Sequence, residues 1–271
     1  MLTSRNNPTI KAIRALRQRR EREATGLFFV EGIRIVAEAL KMGAPVETLV
    51  VAPELLTNPY GQTLVEEQRE LGTPIVEISG EAFASLSSKD GPQGLAAVGR
   101  QRWHTLADLD PAAGLGWVAL SAVSDPGNLG TILRTGDAVG GAGVILLGDC
   151  TDPYDPATAR ASMGALFTQA LVKANWAEFA AWHATGGWHL VGAADSAATH
   201  YRRLRYPAPL ILLMGSEREG LDAEQQALCE TLVSLPMRGA ADSLNLAVAA
   251  GVLLYEVLDQ RSQPRYPAFP L

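Results

Sequence analysis

From residue 115 onward the chain is built on short runs of Val, Leu and Ile that do not alternate with polar residues. They read "WVALSAV", "AGVILLG", "WHLVGAA", "PLILLMG" and "TLVSLP". A strand with one wet face alternates apolar and polar side chains, so a run that is apolar throughout is covered on both faces. Helix signals separate the runs: "LGTILRTGDAVG", "DPATARASMGALF", "DAEQQALCETL" and a final helix over 244–260. Asp155-Pro156 supplies a cap followed by proline at the first helical position. Strand and helix in alternation predict an α/β domain with a parallel sheet. Residues 1–100 carry a smaller α/β alternation, with strands in "GLFFVEG", "VETLVVAP", "TPIVEIS" and "GLAAVGR" and helices in "PTIKAIRALRQRRE", "IRIVAEALKMG", "TLVEEQREL" and "EAFASLSS". Between the two lies "QRWHTLADLDPAAGLG", rich in Pro, Gly and polar residues. The expected organisation is a domain over 1–100, a linker over 101–114 and a second domain over 115–271.

A chain of 271 residues with 47% hydrophobic content is long enough for two cores. Its longest apolar run, residues 246–255, is too short to span a bilayer. The N-terminus is basic without the apolar segment of a secretory signal, so a cytoplasmic protein with no membrane association is expected. Cys150 and Cys229 form no disulfide framework, which suits a reducing compartment. His104, His183, His189 and His200 are scattered, and no metal is expected.

The formal net charge of −6 argues against a nucleic-acid partner until its distribution is considered. Residues 1–22 hold Arg5, Lys11, Arg14, Arg17, Arg19, Arg20 and Arg22 against Glu21 alone. The other 16 basic residues face 28 acidic ones. A basic arm on an acidic body is the asymmetry of a polyanion-binding segment. The same arm places Ile10, Ile13 and then Leu16 or Arg17 at helical spacing, so a docked amphipathic helix is equally consistent.

In open α/β sheets, ligands bind beyond the carboxyl ends of the strands. Three such ends carry unusual polar groups. The first is Ser124-Asp-Pro-Gly-Asn128, read as a turn, with Asn128 as a possible helix cap. The helix after it carries Arg134 opposite Leu129, Ile132, Leu133 and Val139, facing either solvent or an anionic ligand. The second is "LLMGSEREGLD", where Gly215 and Gly220 bracket Ser216 and Glu217, an ordinary turn or a close approach to ligand. The third is "LPMRGAADSLNLAVAAGVLLYEVL". There Asp242 or Ser243 can cap the last helix, leaving Asn245 without a role as a poor helix former inside the first turn. A nicotinamide or flavin fingerprint and a phosphate-binding loop of the G-x-x-x-x-G-K-[ST] type are both missing. Asp149, Asp152 and Asp155 lack the glycine and terminal glutamate of a calcium loop.

Taken in order, "NLGTILRTGDAVG", "LLMGSEREGL" and "LPMRGAADSLNLAVAAGVLLYE" resemble the three motifs of the SpoU (TrmH-like) family of RNA ribose 2′-O-methyltransferases, in the SPOUT class. "ARASMGALF" follows the pattern between the first two. "SRNNPTIKAIRALRQRREREATGLFFVEGIRIVAEAL" and "GPQGLAAV" resemble the substrate-binding domain of its ribosomal-RNA members. The resemblance implies a deep trefoil knot in the C-terminal domain, an N-terminal domain like those of ribosomal RNA-binding proteins, and a homodimer. It implies S-adenosyl-L-methionine (SAM) bound against Gly215, Leu235 and Leu244, with Met237 and Leu213 nearby. It implies an active site of Asn128, Arg134, Glu217, Ser243 and Asn245. RNA then docks on the N-terminal domain, with Arg14, Arg17, Arg19 and Arg20 on phosphates and binding that weakens steeply with salt. The expected activity is methylation of a ribose 2′-hydroxyl in RNA, ribosomal RNA before transfer RNA. The competing expectation is a non-catalytic RNA-binding assembly factor.

Overall fold

The computed structural model describes residues 1–87 and 91–262. The chain divides into two compact units. The first comprises the described residues of 1–101 together with Asp152–Thr168, and the second comprises Arg102–Thr151 together with the described residues from Gln169 onward.

The first unit contains α1 (Pro8–Ala15), α2 (Arg19–Thr25), β1 (Leu27–Glu31), α3 (Ile33–Lys41), β2 (Val46–Val51), α4 (Pro59–Glu70), β3 (Ile75–Glu77), α5 (Gly80–Ala84) and β4 (Leu95–Arg100). Its four strands are ordered β1-β4-β2-β3, with β4 antiparallel to both neighbours and β3 parallel to β2. Ile10, Ile13 and Leu16 bury one side of the N-terminal arm against Phe29, Val50, Phe83 and Val98. The arm is not the single helix predicted over 8–21. It breaks at Gln18, whose backbone is extended. The carbonyls of Leu16 and Arg17 accept from the guanidinium of Arg22 at 2.9 Å instead of continuing a helix.

The second unit contains β5 (Trp117–Ser121), α6 (Pro126–Ala138) and β6 (Gly143–Leu147). The chain then forms α7 (Pro156–Ser162) in the first unit and returns as β7 (Ala170–Ala174), α8 (Trp176–His183), β8 (His189–Ala193), β9 (Thr199–His200), β10 (Leu210–Met214), α9 (Ala223–Leu228), β11 (Thr231–Ser234) and α10 (Leu246–Arg261). Among the described residues these strands make a seven-stranded sheet, ordered β7-β6-β5-β10-β8-β11-β9. Every pairing is parallel, so all carboxyl ends share one edge. β5, β6 and β10 are buried at every position, as their unbroken apolar runs require. Elements absent from the sequence reading are β7, α8 and β9. β7 is an edge strand whose Lys173 is exposed. α8 was marked in the sequence by Asn175 and Glu178, which form a reciprocal capping box.

Two boundaries differ from expectation. The segment expected as a linker over 101–114 packs into the second unit, with Leu109 in its core and His104 bridged to Val172. Residues 152–168 go with the first unit, although they lie within the predicted second domain. Arg22, only 1% exposed, holds them there: its Nε lies 2.6 Å from Asp152 and its Nη2 3.3 Å from Asp155. Phe28 stacks on Tyr154 at 5.0 Å and meets Phe167 at 6.1 Å. The helix expected across 155–167 ends at Ser162, because Met163 and Gly164 both take positive φ and cannot continue a right-handed helix. The upper limit predicted for the second domain, and Ser88 of "EAFASLSS", lie outside the described residues.

Candidate active site

At the carboxyl edge of the large sheet the two helix starts are capped by different residues from those anticipated. α6 begins at Pro126, so 124–128 is not a separate turn. Asp125 is the cap, its Oδ1 accepting from the Asn128 amide at 2.7 Å. The Asn128 side chain is thereby released from capping and sits in the first turn, 8% exposed. At α10 neither Asp242 nor Ser243 caps. Asn245 does, its Oδ1 accepting from Ala247 N at 2.9 Å and Val248 N at 3.3 Å. A side chain that disfavours helix interiors is well placed one residue before the helix.

These caps fix a directional chain of hydrogen bonds. The Asn245 oxygen is committed to the α10 amides, so its Nδ2 faces away and donates to Asn128 Oδ1 at 2.9 Å. Asn128 must then present its own Nδ2 onward, and it donates to Glu217 Oε1 at 3.1 Å. Glu217 ends the chain as a pure acceptor. It also receives Ser124 N at 3.2 Å, Ser124 Oγ at 3.3 Å and Asp125 N at 3.1 Å. Partial burial pushes the Glu217 carboxyl up. The bonds from the Asn128 side chain and the backbone amides of Glu217, Ser124 and Asp125 outweigh that and hold it below the ordinary value. The carboxylate therefore stays ionised at neutral pH, and the three strand ends after β5, β10 and β11 are tied together.

The loop after β10 closes on itself, Ser216 and Gly220 exchanging backbone hydrogen bonds at 3.2 and 3.1 Å. A Cβ at Gly215 would lie 2.0 Å from the Gly220 carbonyl carbon. Loop closure alone accounts for this glycine, without an approaching ligand. Gly220 takes φ +66°, which glycine adopts without strain.

Beside the chain lies a cleft of about 390 Å³. Gly215, Leu235, Met237, Leu244, Ser243 and Glu217 all line it. Leu213 does not: it is fully buried in the core of β10, and its neighbour Met214 faces the cleft. Strand residues alternate faces, and Leu213 belongs to the opposite one. The end of β8 supplies Ala193 to Ser196, a fourth wall that the sequence reading missed although "WHLVGAADS" ends in the same small polar pattern. The Ser243 hydroxyl lies 3.4 Å from Asp242 Oδ1 and does not join the asparagine chain. Arg134 is exposed on α6 and, among the described residues, makes no hydrogen bond or ion pair. It stands six residues beyond Asn128, about 9 Å further along the axis, and is not part of the cleft wall.

In the first unit the four arginines expected on phosphates differ in freedom. Arg14 donates to Ser85 Oγ at 2.7 Å and to the Arg5 carbonyl at 3.2 Å. Arg17 is exposed but donates to the Leu86 and Ser87 carbonyls. Arg19 pairs with Glu23 at 3.0 Å, and Arg20 is exposed. Arg22, counted in the basic arm, is buried and structural.

The chain matches two family models: the SpoU rRNA methylase family over residues 117–255 and the MRM3-like substrate-binding domain over 7–97. A 23S rRNA (guanosine(2553)-2′-O)-methyltransferase of Bacillus subtilis, RlmP, is 30% identical over 94% of this chain and 98% of its own. A 23S rRNA (uridine(2479)-2′-O)-methyltransferase of Streptomyces viridochromogenes is 31% identical over 99% and 95%. Among solved structures, an AdoMet-bound rRNA methyltransferase from Sinorhizobium meliloti superposes with a TM-score of 0.88 at 36% identity, covering 97% of this chain and 98% of its own. The SpoU methyltransferase AviRb from Streptomyces viridochromogenes, in complex with AdoMet, gives 0.86 at 30% identity over 94% and 98%. The protein belongs to the SpoU rRNA methylase family.

Proposed function

We infer that this protein transfers a methyl group from SAM to a ribose 2′-hydroxyl of ribosomal RNA. The observation that carries the inference is the cleft at the strand ends, bounded by Glu217 and tied to both helix starts by Asn128 and Asn245. The residues present fit the methyl donor. Met214, Leu235, Met237, Leu244 and Leu246 offer an apolar wall to an adenosine, and Asp195, Glu217, Glu219 and Asp242 outnumber Arg218 around the same space, a balance that suits a cation. When bound there, SAM supplies a methyl group activated by a positively charged sulfur.

The protein's own task is to present the hydroxyl and manage its proton. The asparagine chain holds the loops after β5, β10 and β11 in one arrangement, which is how orientation lowers a barrier. Neither His nor Cys lines the cleft. Arg134, exposed on α6 about 9 Å beyond Asn128, is assigned as a fork for the phosphate beside the target ribose. The hydroxyl proton leaves to water as attack proceeds. Arg134→Lys keeps the charge and loses the fork. Turnover on ribosomal RNA is expected to fall more than tenfold with SAM affinity unchanged, read by labelled methyl transfer and by mapping 2′-O-methyl positions; near-normal turnover removes the bidentate contact from the mechanism.

The first unit is assigned to docking RNA, with Arg17 and Arg20 as exposed arginines and Arg14 and Arg19 as further contacts. The family match over residues 7–97 supports this. The deep knot of the family is proposed for the second unit, supported by its all-parallel strand order and by the likeness to the Sinorhizobium structure. No described helix is long and apolar enough to cross a membrane, and the protein is proposed to work in the cytoplasm with its RNA.

A homodimer is proposed through α10. One side of that helix buries Leu246, Ala250, Leu253, Leu254 and Val257, while Val248 and Tyr255 are 52% and 53% exposed on another. Val248→Asp combined with Tyr255→Ser is expected to halve the mass measured by sedimentation equilibrium at micromolar protein. An unchanged mass places the interface elsewhere.

A further inference from the structure

The second unit carries a basic cluster that the activity described above leaves unused. Its described residues hold 9 Lys and Arg against 15 Asp and Glu, yet Arg202, Arg203 and Arg205 fall within four positions of one another. They occupy the 3-10 turn Tyr201–Arg203 that follows β9 and the segment leading out of it, and all three are exposed. Aromatic rings are interleaved with them. His200 stacks on Tyr201 with centroids 4.9 Å apart and planes within 20°. The Arg202 guanidinium lies 5.9 Å from the Tyr201 ring centroid. Its side chain, 70% exposed, is oriented by Glu256 at 3.4 Å. Imidazole and phenol thus stack, and an exposed guanidinium lies over the phenol ring.

The stack is next to the cleft. β9 pairs with β11 in parallel, His200 opposite Ser234, so both strands end at the same edge. The residue after Ser234 is Leu235, a cleft wall, and the chain reaches β9 from Asp195 and Ser196, which line the same cleft. Tyr206 and Gln260 anchor the far end of the segment, through a bond from Tyr206 N to Gln260 Oε1 at 3.1 Å.

We propose that His200–Arg205 is a second RNA-contact surface, on the catalytic unit, that holds the single-stranded RNA flanking the target ribose. Unpaired bases stack on aromatic rings and on arginine guanidinium planes, and phosphates pair with arginine forks. A base continues the existing stack over Arg202, while Arg203 and Arg205 take the adjoining phosphates. This rests on the reading that the substrate is RNA and adds where the strand runs.

The test uses the full-length protein and a ribosomal RNA fragment that it methylates. For R203A/R205A, the RNA dissociation constant and KM are expected to rise at least tenfold, with kcat at saturating RNA within twofold of wild type. Two lost phosphate contacts make the slope of log affinity against log salt shallower by about 1.4. R203K/R205K restores the slope, because charge alone sets it. Arg202→Ala, which removes the end of the stack, weakens binding about fivefold or more without the full slope change. SAM binding by calorimetry and sedimentation mass remain those of wild type. RNA affinity and slope unchanged in R203A/R205A, while wild type methylates the fragment, overturn this surface alone. A changed mass assigns the cluster to contact between copies and also overturns it. A wild-type protein that methylates no RNA overturns the underlying reading and this one with it.

Discussion

Asn245→Asp is expected to lower turnover about 100-fold, the scale of misplacing a reacting group, while leaving α10 capped. Aspartate caps a helix as well as asparagine, so the bonds to Ala247 N and Val248 N survive. What fails is direction. The second carboxylate oxygen of the variant faces Asn128 Oδ1, where Nδ2 had donated at 2.9 Å. If Asn128 flips to donate to it, its own oxygen then meets the ionised Glu217. One acceptor–acceptor contact remains whichever way the amide turns. Glu217→Gln alone keeps the Asn128 bond by facing its oxygen to Nδ2, and turns its amide nitrogen onto Ser124 N, a donor–donor contact. N245D/E217Q relieves both contacts of Asn128: the carboxylate introduced at position 245 accepts from Asn128 Nδ2, Asn128 Oδ1 accepts from the amide introduced at position 217, and a single donor–donor contact remains, at Asp125 N. In a double-mutant cycle of urea unfolding, the pair is expected to recover roughly 1–2 kcal/mol relative to the sum of the single changes. Strict additivity, or an Asn245→Asp enzyme of normal turnover, contradicts a chain that positions the loops.

Arg22→Ala is expected to cost about 3–5 kcal/mol in the first unit, the range for removing one partner of a buried ion pair. It strands the nearly buried Asp152 and releases the carbonyls of Leu16 and Arg17, which end α1. The two units have separable signals. All five tryptophans, at 103, 117, 176, 182 and 188, lie in the second unit, so tryptophan fluorescence reports its unfolding and circular dichroism reports both. In wild type the first unit holds 152–168 through Arg22. In the variant an early dichroism transition precedes the fluorescence transition. A single coincident transition, shifted by less than about 1 kcal/mol, means that the pair stabilises little beyond its desolvation cost.

The contrast between Arg22 and its neighbours shows where sequence reading stops. Seven basic residues over 1–22 form one patch by composition, but Arg22 is an interior anchor and Arg14 and Arg17 are partly spent on the Ser85 hydroxyl and on the carbonyls of Arg5, Leu86 and Ser87. Nothing in the spacing marks Arg22, because its partners are 130 and 133 residues away. Likewise, the linker expected over 101–114 had loop composition, yet Leu106 and Leu109 pack it onto the core and His104 bridges it to Val172. The helix starts were legible as a type and not to the residue. "SDPGN" and "DSLN" each contain several capping side chains, and only the surrounding contacts choose among them. Leu213, expected beside the cofactor from the family resemblance, lies in the core of β10, and only the fold shows which residues stand at the strand end.

By itself the sequence determined the two α/β layers, the parallel sheet with buried central strands, and the three strand ends where the cleft walls converge. These follow from local apolar patterning and turn chemistry, and short-range interactions suffice for them. Only the tertiary structure decided that Asn245 and not Ser243 caps α10, that two amides and a carboxylate link in one direction, and that residues 152–168 join the N-terminal unit. Those outcomes depend on hydrogen bonds between groups about 90 to 130 residues apart, and the pairing of distant donors and acceptors is set by packing, which no local pattern encodes.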